Sequence, residues 1–421
     1  MNLLRRGALP AATGFATLLL TLAACSDDPA WIAPLDEEEE DAASPDADAD
    51  ADAGARDGDP ADAAPPRDDV DNRQPFDPAP AQITCGGGAC AKRIVAGYGH
   101  YCVVLADSSL RCWGKARALA PSVDPSVPTV GPRDVAALPA VIDVAAGGDA
   151  TCAVDPDGGV FCWDTTRSAP TLVSGLSGAD RVWVSSNGTN RCARVAGQLS
   201  CWRGASGAVS TFDATVPAVA STALSSSATF IVDPSGNVLS AGTETLIMGR
   251  PASSVAGAAA PVEDLPPILT MAVYAHACAI ALDGRLFCWG RGSGGQLGLG
   301  YSRDELRPLE VRFATNAWPQ QLAVGNNHSC VRTTDAALWC WGGTNDRGQL
   351  GHPESTGVYV PTRVTSLGAV PTAAVATGDG STCALATDGT VRCWGDNRNG
   401  QLGLEALDQL RHPSPALVDL E

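Results

Sequence analysis

The chain has 421 residues, 45 of them glycine, 30 proline and 15 cysteine, and a formal net charge of −19 at pH 7. Most of that acidity lies in the segment before residue 81, which repels phosphate and argues against nucleic acid as a partner. Fifteen cysteines without one Cys-x-x-Cys step exclude the usual zinc and dithiol motifs and point to an oxidising compartment.

The chain opens with Arg5 and Arg6, an apolar stretch ending Leu18-Leu19-Leu20-Thr21-Leu22-Ala23-Ala24, and then Cys25. Residues 1–24 read as an export signal with a small-residue cleavage site. The end of this stretch resembles a bacterial lipoprotein signal, with Leu22-Ala23-Ala24-Cys25 as its lipobox. That resemblance implies a lipid on the Cys25 sulfur, cleavage after Ala24 and acylation of the new amino group. Several acyl chains hold a soluble domain durably at a membrane. The competing reading is an ordinary cleaved signal peptide that leaves Cys25 unpaired. Lipidation accounts for the odd cysteine, because the other fourteen have partners assigned below. Ser26, standing where Asp would favour inner-membrane retention in enteric bacteria, favours sorting to the outer membrane.

Residues 25–80 carry nineteen Asp and Glu against Arg56, Arg67 and Arg73, a charge of −16. Glu37 to Glu40 and the Asp-Ala series from Asp46 to Asp52 cannot bury enough apolar surface to fold, and their repulsion extends the chain. We expect a disordered spacer between lipid and domain. Calcium binding would need a glycine-organised ligand loop, and none accompanies these carboxylates. Residues 81–93 then hold Cys85-Gly86-Gly87-Gly88-Ala89-Cys90, expected as a small disulfide loop leading into the fold.

From residue 94 onward one unit recurs. Cys278 and Cys288 flank Leu282-Asp283-Gly284, an alternating run on either side of an Asp-Gly turn, which is a hairpin pattern. If Ala281 faces Arg285, counting outward puts Leu286 opposite Ile280 and Cys288 opposite Cys278 at a non-hydrogen-bonded site, within disulfide range. The same count pairs Cys383 with Cys393, Cys152 with Cys162, Cys102 with Cys112 and Cys330 with Cys340. Ser108 and Ala336 stand in the last two turns where glycine would be easier. Cys192 and Cys201 are one residue closer around a loop one residue shorter, so they remain opposed. Phe230 and Ser240 replace both cysteines of one unit together.

Hairpins therefore begin at Cys102, Cys152, Cys192, Phe230, Cys278, Cys330 and Cys383, at spacings of 50, 40, 38, 48, 52 and 53 residues. A short apolar strand precedes them, as in Ile94-Val95-Ala96-Gly97, and a Pro-led strand comes one step earlier, as in Pro361-Thr362-Arg363-Val364. Four strands in each of seven repeats predict an all-β, seven-bladed β-propeller over residues 94–421. The final Pro415-Ala416-Leu417-Val418 has no hairpin after it and is expected to complete the first blade, closing the ring. Lys115 to Ala140 and Thr243 to Pro267 read as low-complexity loops.

The repeats resemble the regulator-of-chromosome-condensation family, whose unit runs Gly-x-x-His-Ser/Thr-x-x-Leu, Asp-Gly, Trp-Gly and Gly-Gln-Leu-Gly. Matching residues are His276 to Gly298; Gly325, His328, Ser329, Trp341, Gly342 and Gly348 to Gly351; Gly378, Thr382, Leu385, Asp388, Gly389, Trp394, Gly395 and Gly400 to Gly403; and Gly97, His100, Leu105, Trp113 and Gly114. Blades two to four lack Gly-Gln-Leu-Gly. The resemblance implies a seven-bladed propeller. Its nuclear member's roles, nucleotide exchange on a small GTPase and chromatin binding, are closed to an exported lipoprotein, so neither a GTPase nor nucleic acid is an expected partner. Other exported bacterial members are binding proteins, one of them covering a β-lactamase with its propeller face.

His100, His276 and His328 share one repeat position and could ring the axis. Ala150, Asn190, Ala228 and Ser381 hold that position in the other blades, so hydrogen bonding in the repeat is the expected role rather than metal. No nucleophile elbow, phosphate loop or His-Glu-x-x-His occurs, and neither a catalytic residue nor a cofactor is implied. Trp113, Trp163, Trp202, Trp289, Trp341 and Trp394 recur with the repeat and belong to the core. Trp183, Trp318 and Trp339 are off-pattern and are the candidate contact residues. The expected function is a noncatalytic cell-envelope scaffold that binds a protein or glycan. The alternative is an envelope hydrolase or lyase with carboxylates converging at the axis.

Overall fold

A computed structural model describes residues 75–421, apart from 116–128, 137, 168, 206, 213–217, 251–258 and 405. Cys25 and its lipobox, and all of the acidic segment before residue 75, lie outside the described residues.

Seven antiparallel four-stranded sheets follow one another along the chain, forming the blades of a β-propeller. The innermost strands are Ala91–Ala96, Asp143–Gly147, Ala179–Val184, Ser221–Leu224, Ile268–Val273, Pro319–Val324 and Thr372–Thr377. Each packs beside the next, and the first meets the last to close the ring. The hairpin arms behind them are buried on both faces, as His100–Leu105 and His276–Ala281 illustrate. They therefore read as continuous apolar runs as much as alternating ones.

The Asp-Gly turn sets the register. Gly284 N–H donates to the Ala281 carbonyl and Ala281 N–H to Arg285, which places Ile280 opposite Leu286 and Cys278 opposite Cys288. Six such hairpins are bridged, Cys102–Cys112, Cys152–Cys162, Cys192–Cys201, Cys278–Cys288, Cys330–Cys340 and Cys383–Cys393, with Cα atoms 4.0 to 4.2 Å apart. The short bridge Cys85–Cys90 makes a seventh. Phe230 and Ser240 face each other in the hairpin without cysteines. Ser108 and Ala336 take the left-handed turn conformation despite their side chains, at φ +68° and +61°.

Those turns also join the blades. The turn carbonyls of Ser108, Gly158, Gly197, Gly236, Ala336 and Gly389 each accept an N–H from the approach to the next inner strand, at Val141, Ala179, Val219, Ile268, Thr372 and Ala91. Between blades five and six the strand begins with Pro319, which has no N–H to give. There Trp318 lies over Gly284 instead, edge-on to Phe76 at 6.4 Å.

Seven apolar clusters fill the junctions between neighbouring blades. Six of them contain the repeat tryptophan of the following blade, a side chain whose loss from a core costs about 3–5 kcal/mol. The junction of blades three and four has Ala241 at that place, and its core of Cys192, Leu199, Val219, Leu224 and Ile231 is the thinnest of the seven.

Two expectations need correction. The final strand, His412–Leu417, pairs with Val391–Gly395 as the outer strand of blade seven and does not complete blade one. Blade one already has an outer strand, Thr129–Asp134, supplied by the stretch read as a low-complexity loop. The ring closes instead through the 81–93 segment: Thr84 N–H donates to Thr387 and Ala91 N–H to Gly389, both in the turn of blade seven. The second stretch, Thr243 to Pro267, likewise supplies a strand, Ala260–Pro261, and places Ile247 and Met248 in the core.

Candidate functional site

The repeat histidines are built into blade junctions. His276 Nε2 bonds Ser329 Oγ at 2.6 Å, and His328 Nε2 bonds Thr382 Oγ1 at 3.0 Å, in each case on the next blade. The Ser329 hydroxyl donates to the Gln296 carbonyl at 3.0 Å, and the same carbonyl accepts Trp341 Nε1–H at 2.9 Å. Thr382 and Trp394 converge in the same way on the Gln349 carbonyl, at 2.8 and 3.0 Å. Because each hydroxyl gives its hydrogen to a carbonyl, the histidine must donate from Nε2. His100 meets Thr151 Oγ1 at 2.8 Å. Where blade seven meets blade one, Tyr101 takes the hydroxyl position, bonding Ser381 Oγ at 2.9 Å and accepting the Gly378 N–H.

Burial holds the three imidazoles neutral, lowering His100 and His328 to about 4 and His276 to about 3. Each Nδ1 is buried without a hydrogen-bond partner. A Cβ added at Gly97 or Gly325 would fall 2.5 or 2.8 Å from the Nδ1 of His100 or His328, so glycine makes room for these rings. The histidines thus hold three separate junctions together and face no common centre. Among the described residues, no three His, Cys, Asp or Glu side chains are grouped to hold a metal ion.

Two features remain around the axis, one on the loop face opposite the Asp-Gly turns. There Tyr98, 42% exposed, stands beside Lys115, whose Nζ lies 5.8 Å from the ring centroid and 2.6 Å from Asp149 Oδ2. Asp379 gives its N–H to the Tyr98 carbonyl and accepts Asn326 Nδ2–H at 2.9 Å. Tyr274 completes the group: burial, then the charge of Asp379, pushes its phenol up to about 12. Loops of blades one, two, five, six and seven thereby bring two tyrosines, two carboxylates, an amide and an ammonium onto one surface.

The second feature is an axial cavity of about 280 Å³, walled by the innermost strands of all seven blades. Most of its wall is Val and Ala, with Leu224, Met271 and Trp183, and the hydroxyl residues Thr222 and Thr377. Its charged groups are Arg93, Asp143 and Arg181. Asp143 Oδ1 pairs with Arg93 Nη1, and Oδ2 accepts the Val182 N–H at 2.8 Å. Arg181 Nη1 lies 3.8 Å from Asp143 Oδ1. Desolvation raises the Asp143 carboxyl, and the two guanidiniums oppose that rise.

The off-pattern tryptophans divide. Trp183 is half-buried and lines the cavity. Trp318 and Trp339, each 8% exposed, are packed inside, Trp318 against Phe76 and Trp339 edge-on to Phe313 at 5.9 Å, so neither presents a contact surface. Sequence reasoning passed over Tyr98, Asp379, Arg93, Asp143 and Arg181. A charge inside an otherwise small and apolar inner strand, as at Arg93 and Arg181, was the available signal.

The family model described as the regulator of chromosome condensation (RCC1) repeat matches residues 283–332 and 335–385, and a second model with the same description matches 320–349 and 373–401. Over 128 residues, 30% of this chain, the sequence is 34% identical to the ultraviolet-B receptor UVR8 of Arabidopsis thaliana, covering 29% of that protein. Over 131 residues, 31% of this chain, it is 37% identical to the probable E3 ubiquitin-protein ligase HERC6 of Homo sapiens, covering 13% of it. The chain therefore spans less than a third of the length of either relative. Prp20p from Saccharomyces cerevisiae superimposes with a TM-score of 0.66 at 18% identity, over 79% of this chain and 87% of Prp20p. Human WBSCR16 does so at 0.61 and 15% identity, over 73% and 90%. The likeness to these two is one of fold, and regulator-of-chromosome-condensation repeats occupy the stretch 283–401 of the seven-bladed ring.

Proposed function

We propose that this protein is a noncatalytic binding scaffold, exported and held in the bacterial cell envelope, in the outer membrane, by lipid on Cys25. An acidic spacer carries the propeller away from the membrane, and the propeller takes an envelope protein or a glycan. The observation that carries the binding role is the surface around Tyr98. It combines an exposed aromatic ring with paired charges and the Asn326 amide, the mixture of apolar face and fixed polar groups that recognition surfaces use. Solved structures of the same fold include Prp20p, described with binding to Gsp1p and to histones. That supports protein binding as a use of the fold, while those particular partners stay with Prp20p. An envelope hydrolase or lyase would use carboxylates converging with a histidine at the axis. The axial wall offers Asp143, already paired with Arg93.

The test is crosslinking from intact cells with the full-length protein as bait, read by mass spectrometry, beside Cys25→Ala and Tyr98→Ala variants. One stoichiometric protein or glycoconjugate captured by the parent and lost from both variants is the expected result. Capture unaffected by Tyr98→Ala would remove the loop face as the contact, and unchanged membrane retention of Cys25→Ala would remove the lipid anchor.

A further inference from the structure

We infer that the axial cavity is a binding site for a small carboxylate carried on a compact apolar body. This site is separate from the loop face around Tyr98, lying among the inner strands rather than on the loops.

Charge is the first reason. Arg93 and Arg181 bring two guanidiniums to the cavity wall against the single carboxylate of Asp143, so the three charged groups that line it carry one net positive charge. Asp143 is fully committed, one oxygen to Arg93 and the other to the Val182 N–H. Arg181 is not: its ion pair with Asp143 is 3.8 Å long, beyond hydrogen-bond distance, neighbouring Asp180 is bound to Arg194, and the Arg181 side chain is 52% exposed. A guanidinium is a planar fork of N–H donors whose spacing matches the two oxygens of a carboxylate. Arg181 therefore presents an open carboxylate-shaped fork at the wall, with Asp143 and Arg93 fixing the surrounding charge.

The remainder of the wall is the second reason. The inner strands contribute mainly Val and Ala, with Leu224, Met271 and the Trp183 indole. Their side chains give an incoming molecule apolar contact from which water is displaced, while the Thr222 and Thr377 hydroxyls and the free edges of the inner strands add hydrogen-bonding groups between them. Size is the third. A volume of about 280 Å³ fits a small molecule and excludes a folded partner. One anionic head on a short hydrocarbon or aromatic body satisfies all three conditions. Inorganic phosphate satisfies the first alone, and an uncharged alcohol only the other two.

The test uses hexanoate, hexan-1-ol and inorganic phosphate as probes, titrated by calorimetry into the disulfide-intact protein. The sequence has three methionines, Met1, Met248 and Met271, so carbon-13 methyl labelling gives a sparse spectrum. Met271 lines the cavity, whereas Met248 is buried in the junction of blades four and five. The expected result is saturable hexanoate binding that shifts Met271 and leaves Met248 in place, with hexan-1-ol and phosphate at least tenfold weaker. Arg181→Gln should weaken hexanoate at least tenfold, and the half-exposed position makes this a benign change for folding. Equal binding of hexanoate and hexan-1-ol, phosphate as tight as hexanoate, a shift at Met248 alone, or an unaltered affinity in Arg181→Gln would each overturn the assignment.

Discussion

Lowering the pH should loosen the ring through the three junction histidines. An unfolded imidazole titrates near 6.5, whereas His100, His276 and His328 fall to about 4, 3 and 4 in the fold. Each folded ring is neutral, so the unfolded chain binds more protons between those limits and stability falls with pH there. The contribution is fully present above about pH 6.5 and is lost as pH drops towards 4. Each ring adds a slope of about 1.4 kcal/mol per pH unit, so three add about 4. Between pH 7 and 5 the loss is on the order of 6 kcal/mol. The perturbation that isolates it is the triple substitution His100→Asn, His276→Asn and His328→Asn, which uses the residue already at this position in blade three, Asn190. Guanidinium unfolding at pH 7, 6 and 5, with disulfides intact and tryptophan emission as the signal, gives the slope for both proteins. The parent should lose stability steeply across this range and the triple variant should not. An equal slope in the two would refute the account, because the protons would then be binding elsewhere.

Arg332 is 3% exposed, its Nε has no hydrogen-bond partner, and burial alone lowers its pKa, with no carboxylate beside it. Arg332→Met should therefore stabilise the fold, by about 1–3 kcal/mol in the same unfolding assay. Ala336 holds φ +61° where the matching turns of other blades use glycine, so Ala336→Gly should raise the unfolding midpoint by the equivalent of up to about 1 kcal/mol. Gly284→Ala should do the opposite, since its Cβ would fall 2.7 Å from the Trp318 ring and 2.9 Å from Phe76 at φ +87°. Hydrogen exchange should be fastest along the junction of blades three and four, where the buried core is smallest, and equal protection at all seven junctions would contradict that.

What the sequence discloses and what it hides follow from which atoms do the work. The hairpins were legible because an Asp-Gly turn fixes the pairing of everything beside it, as Cys278 facing Cys288 shows. The outer strand of blade one was not, because Thr129–Asp134 gains its order from pairing with Leu110–Gly114 rather than from its own composition. Blade four was read as lacking the Gly-Gln-Leu-Gly motif, yet the Ile247 carbonyl accepts Trp289 Nε1–H at 2.7 Å and Gly249 turns beside that indole. Ile247 does with its backbone what Gln296 does with its own, so the side chain is free to differ. The histidine contacts were equally hidden, since His276 and Ser329 are 53 residues apart and meet only when two blades pack. Trp318 stood out in sequence for a reason unconnected with binding: it stands before Pro319, at the junction where the strand has no N–H to offer.

The covalent map has its own consequence. Each bridge closes within 5 to 10 residues of chain, and the final strand stays in its own blade. Among the described residues no disulfide and no shared strand joins the first blade to the last, so the ring is a clasp rather than a hoop. Pulled from its two ends, such a molecule would part first where blade seven meets blade one and then surrender its blades singly. Each tethered hairpin would survive as a knot of about ten residues that force alone cannot lengthen.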